Sequence, residues 1–241
     1  MKQILHIATR ELNTFFDSLT AYVLIVIFLG FSGFFTWVYG ADVFFVGQAN
    51  LNTFFTVAYW SLFIFIPALT MKSIAGELTE GTLELLLTKP VSDWQLILGK
   101  FLSTLLLIVI ALAPTVVYYF TLWSIGPVDH SAILLGYVGL LLMSMVYISI
   151  GLLTSCLFSN PIVASLSGLS IGIFFHIIFD VLAANFVGFT GNLFSYISLS
   201  THFESITRGV VDTKDIIYFL SIVFFCLYTS KQILSNRNLH V

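Results

Sequence analysis

Residues 72–100, KSIAGELTEGTLELLLTKPVSDWQLILGK, decide the fold of this chain, because they set a charged insert between two long apolar runs. Lys72, Glu77, Glu80, Glu84, Lys89, Asp93 and Lys100 all stand here, out of nine Lys or Arg and 12 Asp or Glu in 241 residues. Residues 50–71 before the insert and 101–123 after it carry no charged side chain. Each run is long enough to cross about 30 Å of hydrocarbon at about 1.5 Å per helical residue. The sequence therefore reads as membrane helix, charged break, membrane helix.

Working outward, runs of crossing length lie at 19–40, 50–71, 97–123, 132–156, 161–184 and 213–234. Composition agrees. With 59% apolar and 9% charged residues and a mean hydropathy of +1.03, the chain has too little polar surface to cover a water-soluble core. We expect a single all-α, polytopic membrane domain over 1–241 with six transmembrane helices. An even number of crossings puts both termini on one side.

Charge asymmetry assigns the side. Lys2, Arg10, Lys72, Lys89, Lys100, Lys231 and Arg237 belong to the face of the termini and insert, against Arg208 and Lys214 on the other. The termini and insert are thus expected in the cytoplasm, with the chain in a bacterial inner membrane. Arg10, Glu11 and Asp17 precede the first apolar run with no small-residue cleavage site after it, unlike a cleavable signal. Instead Ile4, Leu5, Ala8, Leu12, Phe15, Phe16 and Leu19 recur at helical spacing, which predicts an interfacial elbow helix over residues 2–18.

Within the insert, Glu77, Glu80 and Glu84 fall on one side of a helix predicted from Glu77 to Thr88, and Leu83, Leu86 and Leu87 on another. Gly81 weakens that helix and Pro90 ends it. Ser92 followed by Gln95 then predicts a capping box opening a helix that runs straight into the third crossing. The element at 77–98 can be a handle for a soluble motor. It can equally be a loop resting its leucines on lipid headgroups.

Gly76–Lys100, GELTEGTLELLLTKPVSDWQLILGK, resembles the segment between helices 2 and 3 of ABC-2 type permeases. His202–Ser221, HFESITRGVVDTKDIIYFLS, is similar to the segment leading into the last helix of that family. Within it, the likeness is to the gliding-motility-associated ABC permease subunits of Bacteroidetes. The resemblance implies the permease subunit of an ABC transporter, itself not an enzyme. It implies a coupling helix contacting a cytoplasmic ATPase subunit, here through Glu77, Glu80, Leu83, Glu84, Leu86 and Leu87. ATP and Mg would sit on that partner, with no cofactor in this chain; no G-x-x-x-x-G-K-[ST] loop occurs in it. A second permease chain, identical or similar, is also implied.

Residues 185–212 are expected to form an outer interfacial segment of short re-entrant helices, with Phe194, Tyr196, Phe203 and Ile206 giving it amphipathic character. Asp212 and Asp215 are placed to cap the last crossing. In the fifth crossing Ala164, Gly168 and Gly172 recur every fourth position and predict close helix packing. His176 and Asp180, one turn apart, form a candidate intramembrane polar pair, expected to make an interhelical hydrogen bond, with proton relay or substrate contact as the sharper alternative. Pro114 predicts a kink. Cys156 and Cys226 fall at different depths, which disfavours a disulfide. Neither metal-ligand spacing nor a basic patch for nucleic acid is present in the sequence.

Gly168-Leu169-Ser170-Ile171-Gly172 matches the G-x-S-x-G pattern of serine hydrolases, which leaves an intramembrane serine protease as a minor alternative. A nucleotide-independent membrane anchor for a motility or secretion machine is the larger one. A secondary transporter is disfavoured by the lack of an inverted repeat with broken helices.

Overall fold

Backbone polar groups in hydrocarbon must be satisfied within their own segment, so each apolar run becomes helix. The computed structural model describes residues 2–39, 47, 49–82 and 91–238, and no strand occurs among them. An N-terminal helix α1 (Lys2–Asp17) precedes α2 (Thr20–Trp37) and α3 (Asn52–Thr70). The insert opens with the short α4 (Ala75–Thr79), and α5 (Asp93–Leu112) leads through a 3-10 turn at Ala113–Thr115 into α6 (Val116–Ile125). The long α7 (His130–Leu157) is followed by α8 (Pro161–Ile173), a π-turn (Phe174–Ile178) and α9 (Phe179–Asn185). Two short helices, α10 (Phe189–Ile197) and α11 (Leu199–Thr207), then precede α12 (Thr213–Asn238). Six of these stretches are long and apolar enough to cross a membrane.

Helix boundaries follow local chemistry. Ser92 Oγ accepts from Gln95 N at 3.4 Å while Gln95 Oε1 accepts from Ser92 N at 3.1 Å, the capping box expected at the head of α5. Asp129 caps α7 by accepting from Ser131 N and Ala132 N, and Asn160 caps α8 through Ile162 N. Pro114 lies in the 3-10 turn dividing α5 from α6. One expectation needs correction: the insert helix does not run unbroken from Glu77. It stops at Thr79, because Gly81 takes a left-handed φ of +67°, a conformation that closes helices and favours glycine. Leu83, Glu84, Leu86 and Leu87 lie outside the described residues.

α7 is the hub, packed by α3, α5, α8, α11 and α12. Lipid tails are as apolar as leucine, so helices associate in a bilayer by close packing rather than by exclusion from water. Glycine supplies the closeness. A Cβ added at Gly151 would stand 2.0 Å from Thr70 Oγ1, and one at Gly136 would stand 2.3 Å from the Phe55 ring. α2 is peripheral by comparison, with Tyr22, Val26, Phe31 and Phe34 exposed.

Candidate functional site

Two polar assemblies interrupt the apolar bundle, one at the end bearing the insert and one at the opposite end. At the insert end Lys100, on the first turns of α5, is only 1% exposed. Its Nζ lies 2.7 Å from Glu77 Oε1 of α4 and 3.4 Å from Glu11 Oε2 of α1. Arg10 Nη2 donates to Glu11 Oε1 at 2.8 Å, so the four charges balance. A buried ammonium needs such partners, since leaving it unpaired costs several kcal/mol. α1 can reach Lys100 because Gly99 is bare: a Cβ there would stand 2.6 Å from Ile7 Cγ2.

The start of the insert is also held by α7. Ser155 Oγ accepts from Ile74 N at 3.0 Å and Ala75 N at 2.9 Å, and donates to Met71 O at 3.2 Å. One hydroxyl thus serves both sides of the break between α3 and α4. Thr79 Oγ1 lies 2.7 Å from Ser159 O, just past the end of α7. Arg237 of α12 donates to Leu157 O at 3.1 Å, placing a cation on the carbonyl end of α7, where the helix dipole favours it. Glu77 faces inward to Lys100, whereas Glu80 is exposed.

At the far end, α3, the π-turn, α9 and α11 line a half-open cavity of about 280 Å³. His176 sits in the π-turn, where Phe179 N–H reaches back to Phe174 O, and such turns recur at functional sites. The His176 ring is 3% exposed, stacks on Tyr59 at 4.0 Å, and its Nδ1 lies 2.5 Å from Tyr147 OH of α7. Its Nε2 is buried with no partner among the described residues. Asp180 meets Ser198 Oγ at 3.5 Å instead of His176. The two residues therefore line one cavity with separate hydrogen-bond partners.

Beside the cavity, His202 of α11 places Nδ1 2.6 Å from Asp215 Oδ1 and Nε2 3.1 Å from Tyr196 O. Both ring nitrogens face acceptors, an arrangement an imidazolium satisfies. Asp215 is fully buried, so it pins α12 to α11, while Asp212 performs the capping through Lys214 N at 3.2 Å. Tyr218 OH donates to Ile197 O at the junction of α10 and α11.

The family model for ABC-2 family transporter proteins matches residues 45–231, most of the chain. The chain belongs to the ABC-2 transporter family. An ABC-2 permease is the transmembrane component of an ABC transporter, and the family typically pairs with a cytoplasmic ATPase subunit. A search of curated proteins found no match.

In this ABC-2 permease the small-residue stripe of α8 lies against α3 and α7. A Cβ at Gly172 would stand 2.7 Å from Phe63 Cε2 and one at Gly168 3.2 Å from Thr154 Oγ1, while Ala164 is fully buried. Ser170 points away, its hydroxyl donating to Leu166 O within the helix, and His176 bonds Tyr147; the G-x-S-x-G match assembles no nucleophile and base. Sequence reasoning does not single out Lys100, Glu11, Ser155, His202 or Asp215 as site residues. Lys100 carries no more than the signal of a basic flank at the head of an apolar run. Ser155 carries none, since a serine in a membrane helix ordinarily bonds its own preceding turn.

Proposed function

We propose that this ABC-2 permease is driven by ATP hydrolysis on a separate cytoplasmic subunit that docks on the insert, with ATP and Mg held there. The observation that carries the reading is the anchoring of the start of the insert from two directions, by Lys100 of α5, itself held by Glu11 of α1, and by Ser155 of α7. A loop resting on headgroups has no use for such ties. A force-bearing one does, because displacement of α4 would be carried into α5 and α7 rather than lost in bending. In this reading Glu80, Leu83, Glu84, Leu86 and Leu87 meet the ATPase, and Glu77 contributes by holding the element to Lys100.

The same reading places the chain in a bacterial inner membrane with both termini cytoplasmic, following the seven-to-two excess of Lys and Arg. It pairs the chain with a second permease chain, identical or similar, and assigns export as the direction. A role in gliding motility is supported by the likeness of Gly76–Lys100 and His202–Ser221 to permeases of that system.

The test is purification of the tagged full chain in mild detergent with identification of what co-purifies. Recovery of a P-loop ATPase, lost when Leu83, Leu86 and Leu87 are changed to Asp, is the expected result. A stable complex without an ATPase overturns the reading in favour of a membrane anchor.

A further inference from the structure

We propose that the cavity between α3, the π-turn and α11 binds a small organic ammonium group, free or carried on a lipid headgroup. Two carboxylates, Asp180 and Glu204, line it, and among the described residues neither is in an ion pair. Asp180 is partly buried within the fifth crossing, where an acid without a cation marks a functional site, and Glu204 stands exposed at the mouth of the same cavity. One wall is an accessible indole: Trp60 is 42% exposed and lines the same space, beside Tyr59, whose ring is stacked on His176 at 4.0 Å and on Phe203 at 4.8 Å.

Carboxylates beside an accessible indole match one ligand chemistry. A hard metal ion wants six or more oxygens, whereas an alkylated ammonium is held by ring quadrupoles and needs only a neighbouring negative charge. His176 supplies a further contact, since its Nε2 is buried without a partner in a ring that lines the cavity. In the tautomer that carries its proton on Nδ1, donated to the Tyr147 hydroxyl oxygen, Nε2 accepts from the N–H of an ethanolamine ammonium or from the hydroxyl of free choline. A volume of about 280 Å³ suits a choline- or ethanolamine-sized group. The site is distinct from the insert end and does not depend on the ATPase reading, as the test uses the permease alone.

The full chain is placed in phosphatidylglycerol nanodiscs and titrated with choline chloride against sodium chloride at constant ionic strength, reading tryptophan fluorescence. A saturable response specific to choline is expected, weakened about tenfold or more by Asp180→Asn with Glu204→Gln. Trp60→Leu should weaken it as well. Native mass spectrometry from mixed nanodiscs separates the sources: retention of phosphatidylethanolamine over phosphatidylglycerol, lost in the double variant, identifies a lipid headgroup, and choline binding alone identifies a free amine. Absence of both choline saturation and phosphatidylethanolamine retention in the unaltered chain overturns the proposal, as does identical binding by the variants. Should the double variant not stay monodisperse, Glu204→Gln alone, at an exposed side chain, should still weaken binding, and unchanged binding by it overturns the proposal equally.

Discussion

Lys100 Nζ stands 2.7 Å from Glu77 Oε1 and 3.4 Å from Glu11 Oε2, so one buried cation joins the elbow helix, the insert and the third crossing. The pairing is mutual. Removing the cation strands Glu77, whose Oε2 already lacks a hydrogen-bond partner, next to Glu11. Lys100→Met should therefore destabilise the chain by about 3–5 kcal/mol, and Glu77→Gln added to it should return much of that loss, because Glu11 keeps Arg10. Thermal unfolding of the four members of this cycle in one detergent measures the coupling.

Ser155 is the second tie. Ser155→Ala leaves Ile74 N–H and Ala75 N–H without their buried acceptor, at a cost of about 1–3 kcal/mol. Faster amide exchange at residues 74–79, with the rest of α7 unchanged, is the expected signature.

Gly151 sets how closely α3 approaches α7. Its Cβ would meet Thr70 Oγ1 at 2.0 Å, so Gly151→Ala should cost about 1–3 kcal/mol. Thr70→Ala should relieve most of the clash at little expense, leaving a Cβ–Cβ approach of 2.9 Å, since that hydroxyl bonds only back to Ile66 O and Pro67 O in its own helix. A melting temperature for the double variant no higher than for Gly151→Ala would refute this packing.

The far end depends on His202 and Asp215 in the same way. His202→Leu leaves a fully buried carboxylate unpaired, which should cost about 3–5 kcal/mol and loosen α10 and α11 from α12. Hydrogen exchange over residues 189–207 should rise, and proteolysis there should follow it.

The crossings are legible in the sequence because apolar length is a one-dimensional property: 50–71 and 132–156 predict α3 and α7 to within a few residues. Caps are legible for a related reason, as Ser92 and Gln95 act within one turn. The ties between crossings are not. Lys100 reads as a basic flank until α1 and α4 are folded against it, and Ser155 reads as a neutral serine until the break at Met71–Ile74 arrives beside it. Gly81 reads as a weak helix residue, but its sign of φ is decided by where the chain must turn. Likewise Asp215 reads as a cap, and burial against His202 takes it elsewhere.

If the insert receives the action of an ATPase, that action shows in ATP turnover by the co-purified ATPase subunit, measured with and without this permease in reconstituted vesicles. Turnover should rise with the unaltered chain and fall to the level of the isolated ATPase with Leu83, Leu86 and Leu87 changed to Asp. Turnover indifferent to the permease, or equally raised by the triple variant, would contradict a coupling role for the insert.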